Sequence, residues 1–110
     1  MVKVRVNWGA ATEDRTVKLF EVFNTSHNRL YVLAPDRRTA MLIAHTANHV
    51  YDPSEKIALD YSRTVNEVKS ACRSELLEHW KCIQKAIARR LQGTIHFDEG
   101  RLSIGDEIVR

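Results

Sequence analysis

The sequence predicts an α+β fold: an N-terminal three-stranded antiparallel meander, a helix packed on it, one long amphipathic helix and a C-terminal β-hairpin. Near both ends of the chain apolar residues alternate with polar ones, the period of half-buried strands. In the middle they recur every three or four residues, the period of helices with one buried face. Short Gly-, Pro-, Asn- or Asp-containing steps separate these stretches.

The first strand is expected where Val2, Val4, Val6 and Trp8 alternate with Lys3, Arg5 and Asn7, with GAATED as its turn. TVKLFEVF, from Thr16 to Phe23, and RLYVLA, from Arg29 to Ala34, are β-branched and aromatic runs flanking the turn-like NTSHN, which completes the meander. Pro35 ends the third strand. Asp36 is placed to cap a helix by accepting from backbone N–H groups left free in its first turn. Counting about 100° per residue from Ala40, the residues Ala40, Ile43, Ala44, Ala47 and Tyr51 share one face, with Val50 at its edge, and that face is expected on the sheet.

Asp52-Pro53-Ser54-Glu55 has the composition of a helix start, but KIALDYS beyond it fits a turn or two of helix or a short strand, with helix favoured over 54–62. Thr64-x-x-Glu67 reads as a capping box opening the long helix, in which Val65, Val68, Cys72, Leu76, Trp80, Ile83, Ile87 and Leu91 form the stripe, up to Gly93. Such a helix would run roughly 42 Å, whereas a compact domain of this length is about 35 Å across. It must overhang the domain, break near Arg73-Ser74, or pack on a second copy. In the tail, Ile95 and Phe97 alternate with His96, Glu99-Gly100 make the turn, Leu102 and Ile104 return, and Gly105-Asp106 bends the chain again before Ile108 and Val109.

With 110 residues, the chain suits one domain spanning 1–110. Its 44% apolar and 28% charged residues are those of a folded globular chain rather than a disordered one. Seventeen basic residues against 14 acidic ones give a net charge of +3, a mixed surface that allows nucleic acid without demanding it. No apolar run is long enough to span a membrane, and MVKVRVNW lacks the apolar block of a signal peptide, so the expected location is cytoplasmic. Cys72 and Cys82 would lie about 15 Å apart on one helix, too far for a disulfide, which fits a reducing compartment.

His45 and His49 stand four residues apart, at about 140° and about 180° round the helix from Ala40 and so opposite the sheet-facing side, with Arg38 at about 160° and Leu42 at about 200°. A zinc site needs a third protein ligand, and Thr46 rules out the HExxH pattern, so no metal is expected there. Leu42 among these polar side chains, with Met41 at about 100°, instead marks a contact surface. On the long helix, Cys72 lies about 10 Å along the axis from His79 and cannot share an ion with it. Cys82 and His79 have thiolate–imidazole spacing but no evident pocket. Lys81, Lys85 and Arg89 recur every four residues with Arg90 adjacent, a basic row about 12 Å long that could follow a phosphate backbone or merely complement the negative end of its own helix. The phosphate-cradling glycine loops, the nucleophile elbow and the paired acids of general acid–base sites are missing from the sequence.

The expectation that follows is a small intracellular binding protein without catalysis or cofactor, an adaptor or inhibitor. It would contact another protein through Arg38, Met41, Leu42, His45 and His49, with a homodimer through the long helix as a further expectation. The alternatives are nucleic-acid binding through Lys81, Lys85, Arg89 and Arg90, and, behind it, a metal- or thiol-dependent enzyme.

Overall fold

The computed structural model describes residues 5–23, 29–49, 64–71 and 73–110, with the side chains of residues 48 and 49 outside that set. The described elements are β1 (Asn7–Ala10), β2 (Lys18–Phe23), β3 (Arg29–Ala34), α1 (Arg37–His49), β4 (Thr64–Glu67), α2 (Ser74–Glu78), α3 (Trp80–Ala88), β5 (Leu91–Asp98), β6 (Arg101–Ile104) and β7 (Glu107–Val109). Together they make a mixed α+β fold around an antiparallel sheet of order β4-β2-β3-β5-β6-β7, with β1 paired to β5 off that path. Val2, Lys3 and Val4 of the expected first strand, the expected turn at 24–28, the ambiguous stretch at 54–62, Val50, Tyr51 and Cys72 lie outside the described residues.

β3 shows why the sheet carries helices on both faces. Leu30, Val32 and Ala34 join Ala40, Ile43, Ala44 and Ala47 of α1 in one apolar cluster. Tyr31 and Leu33 point the other way, into a cluster with Leu76 of α2 and Ile83 and Ala86 of α3. A strand with both faces covered reads as a continuous apolar run, which RLYVLA is. The small side chains of α1 are fully buried, as their helical spacing predicts, and let its backbone approach the sheet closely. Asp36 caps that helix: its Oδ1 accepts from the Thr39 N–H at 2.7 Å.

The meander is formed only in part. β2 and β3 pair antiparallel from Lys18↔Ala34 to Phe23↔Arg29, as expected. The described part of the first strand does not join them: β1 pairs with β5, with Asn7↔Gly93 and Ala10↔Leu91. Backbone space decides this, and hydrophobic alternation does not report it. A Cβ on Gly93 would stand 2.2 Å from the Val6 carbonyl oxygen, so only glycine lets the two chains meet there. Buried Thr94 then closes the contact. Its N–H donates to the Val6 carbonyl at 2.9 Å, and its Oγ1 accepts from the Val6 N–H at 3.0 Å.

The single long helix from Thr64 to Leu91 is not formed either. Thr64–Glu67 is a strand at the sheet edge, paired with β2 through Val22↔Val65 and Phe20↔Glu67. Val65 is buried in the α1-facing cluster, and a β-branched residue gains more from that packing than from opening a helix. The helical part begins at Ser74, beside the Arg73-Ser74 step where a break was one of the expected solutions, and is interrupted at His79 (φ −111°, ψ 13°). It stops at Ala88, short of Gly93, because Leu91 already belongs to β5. The longest extent of the molecule is 37 Å, so a helix of the predicted length would have overhung it.

The C-terminal hairpin matches its reading. β5 and β6 pair from Ile95↔Ile104 to Asp98↔Arg101, and the two-residue turn has positive φ at both Glu99 (51°) and Gly100 (75°), the form that suits the twist of paired strands. Beyond the bend at Gly105-Asp106, β7 pairs with β6. No helix among the described residues is long and apolar enough to cross a membrane.

Candidate functional site

On α1, Arg38 is exposed, Leu42 keeps 37% of its surface in solvent, His45 is half-buried, and Met41 is half-buried against the α1-facing core. The side chain of His49 lies outside the described residues. The helix is held over the sheet at its start, where the Arg37 guanidinium donates to the Val65 carbonyl at 3.3 Å. Arg15 pairs with Asp36 beside the cap. The Thr39 backbone N–H, then the Thr39 hydroxyl, then Arg15 hold the Asp36 carboxyl down at about 2.

The basic row does not survive as four free cations. Lys81 and Lys85 are exposed on α3. Arg89, however, pairs with Glu107 of β7 at 3.1 Å. Arg90 has left the helix, with φ at 57°, and its guanidinium reaches the Glu13 carbonyl at 3.4 Å. Helical periodicity placed these residues in line, but it carries no information about the strand beside them or about where the helix stops.

Two depressions on the α2–α3 side escaped the sequence reading. The larger, an open cleft of about 850 Å³, lies where α2 and the start of α3 stand over β3 and β5, lined among others by Tyr31, Glu75, Glu78, His79, His96 and Phe97. Phe97 meets Tyr31 edge-on at 6.4 Å between ring centroids and lies under His79 at 5.1 Å. Oγ1 of Thr94 holds His96 Nε2 at 2.7 Å. Glu21, nearly buried on the same face of the sheet, pairs with Arg29 at 3.2 Å and Arg73 at 3.7 Å and so ties the start of α2 down. These residues come from widely separated segments, so no local pattern could have collected them.

The smaller depression, a groove of about 340 Å³, shares His79 and Gly100 with the cleft and continues past Cys82 to Arg101, Leu102, Ile108 and Arg110. Cys82 is a free, half-buried thiol. Its half-burial next to Val109 suits a small hydrophobe packed at the edge of the core. Among the described residues no group of three His, Cys, Asp or Glu side chains is placed to hold a metal ion. The surface therefore offers contact sites of mixed charge with apolar floors. Comparison with protein families, with curated proteins and with solved structures gives no match to this chain.

Proposed function

We propose that the protein is a small non-catalytic binding protein, an adaptor or inhibitor, that works by protein–protein contact through the outer face of α1. The observation that carries this reading is a large apolar side chain left exposed on a helix whose buried face is mostly alanine. Ala40, Ile43, Ala44 and Ala47 are buried, while Leu42 stands 37% exposed and Met41 is only half-buried. Full burial of a leucine is worth about 1.5–3 kcal/mol, of which the fold forgoes roughly a third at this position. Arg38 and His45 flank it with donors, and an apolar centre with a polar rim is how contact surfaces are built. His49 belongs to the same face by its place in the helix.

The homodimer and nucleic-acid readings lose ground by comparison. A second copy was one of three ways to accommodate a helix too long for its domain, and that stretch is divided among β4, α2 and α3. Nucleic-acid binding retains Lys81 and Lys85, while Arg89 and Arg90 are engaged within the fold.

The test is affinity capture from native lysate with wild type and Leu42→Glu, each with and without nuclease, after circular dichroism has established equal folding. The expected outcome is a protein partner that survives nuclease and is depleted at least tenfold by Leu42→Glu. An unchanged partner set would remove α1 as the site. Partners lost on nuclease treatment from wild type would turn the assignment to nucleic acid.

A further inference from the structure

We infer that the groove at the β6–β7 end of the sheet is a second docking site, built for an acidic, extended segment of a partner protein that adds to the free edge of β7. The inference starts from two arginines. β6 and β7 pair with Leu102↔Val109, and continuing that register one residue beyond β7 sets Arg101 opposite Arg110, both of which line the groove. Like charges facing each other across a strand pair are destabilising. Arg5, Arg15, Arg29, Arg73 and Arg89 each have a carboxylate, on Asp98, Asp36, Glu21, Glu21 and Glu107 respectively. Arg101 and Arg110 have none among the described residues, and they are the only permanently charged side chains lining the groove. The acids nearest in the sheet are already taken: Asp98, opposite Arg101 on β5, by Arg5, and Glu107 by Arg89. Lys85, exposed on α3 about 60° round the helix from the groove-lining Cys82, adds positive charge on the same flank.

The backbone and the groove floor specify more than an anion. β7 ends the strand order and pairs only with β6 among the described residues, so its outer N–H and C=O groups can accept another strand. Ile108 is 41% exposed beside that edge, and Leu102 and Val109 close the floor. An added strand offers side chains on alternate sides: carboxylates on the face of Arg110 and Ile108, where they suit bidentate pairing with the guanidiniums and their stems cover Ile108, and β-branched residues on the face of Val109. A bare phosphate would answer the charge but leave the edge and Ile108 unused. This site is separate from the α1 face and stands or falls without it.

The probe is fluorescein-labelled acetyl-Glu-Val-Asp-Val-Glu-Val-amide, titrated with the full chain by fluorescence anisotropy at about 0.15 M salt, where exposed charges are screened beyond roughly 8 Å. The comparison probes are the same peptide with every acid replaced by lysine, a labelled fifteen-residue oligothymidylate, and inorganic phosphate as competitor. Expected results are saturable binding of the acidic peptide alone, at least tenfold weakening by Arg101→Ala/Arg110→Ala, no change in Leu42→Glu, and slowed amide exchange confined to residues 107–109. Both arginines are exposed, so the double variant should keep the wild-type dichroism spectrum. If it does not, Arg101→Lys/Arg110→Lys, which keeps charge but loses the bidentate fork, must show an intermediate loss. The inference is overturned if the acidic peptide does not saturate, as an edge charged only to repel other strands would predict. Equal binding by the double variant, displacement of the peptide by phosphate, or preferential arginine-dependent binding of the oligonucleotide would overturn it as well.

Discussion

Replacing Gly93 by alanine tests the closest backbone approach in the fold. The new Cβ would lie 2.2 Å from the Val6 carbonyl oxygen, with Ile104 Cγ2 at 3.1 Å behind it. Carbon–oxygen contacts between strands settle at about 3.3 Å or more, so the chains would have to part by about 1 Å. That separation breaks the Thr94 N–H to Val6 carbonyl bond at 2.9 Å and the Val6 N–H to Thr94 Oγ1 bond at 3.0 Å. Thr94 is fully buried, and a buried group left without its partner costs about 1–3 kcal/mol. Partial exposure of Val6 adds about 1 kcal/mol to the two lost bonds, giving about 3–7 kcal/mol in all. Against a typical stability of about 5–15 kcal/mol this is a large fraction, and at about 4 °C per kcal/mol the midpoint should fall by about 12–28 °C. Urea and thermal unfolding followed by circular dichroism measure it. The control is Gly100→Ala, at φ +75° with nothing within 4 Å of the added Cβ, where only the left-handed backbone penalty of about 1–2 kcal/mol applies. If Gly93→Ala costs no more than Gly100→Ala, the account of why β1 pairs with β5 is wrong.

Asp36→Ala should lose about 1 kcal/mol at pH 7 through the missing cap of α1. Because the folded carboxyl sits at about 2, below its ordinary value, its contribution is complete above about pH 4 and disappears as pH falls through about 2. Urea midpoints of wild type and variant should therefore converge over that window, and a constant difference down to about pH 2 would show that the carboxylate is not the stabilising group. Leu76→Ala removes the only buried residue of α2 and should cost about 2–5 kcal/mol. Five residues are too few for an independent helix, so residues 74–78 should lose amide protection well before α3 does. Equal protection of both helices would mean that the ion pair of Arg73 with Glu21 is enough to hold α2.

Local patterns were legible where a local cause decides the structure. The inner face of α1 follows from the spacing of Ala40, Ile43, Ala44 and Ala47, its cap from Asp36, and the β5–β6 turn from Glu99-Gly100. The failures share another physical origin. Thr64-Val65-Asn66-Glu67 carries the letters of a capping box, but a capping box satisfies backbone groups only if a helix follows, whereas the open edge of β2 satisfies them by pairing and also buries Val65. Which of the two prevails depends on β2, more than forty residues away. The same holds for the first strand. Its alternation marks it as a strand, while its partner is set by the absence of a side chain at Gly93.

Sites obey the same division. A row of cations four residues apart on one helix is visible in a sequence because the helix itself creates it, and for the same reason it says nothing of what lies alongside. Once β7 is laid beside α3, Glu107 takes Arg89 out of that row. Continued one residue beyond β7, the same register sets Arg110 opposite Arg101, two charges nine residues apart that no single-element period connects. Pairing β7 with β6 thus weakens one cationic surface and creates another. On the docking proposal the second is the anion site, because both guanidiniums line one groove and neither has a paired side-chain carboxylate among the described residues.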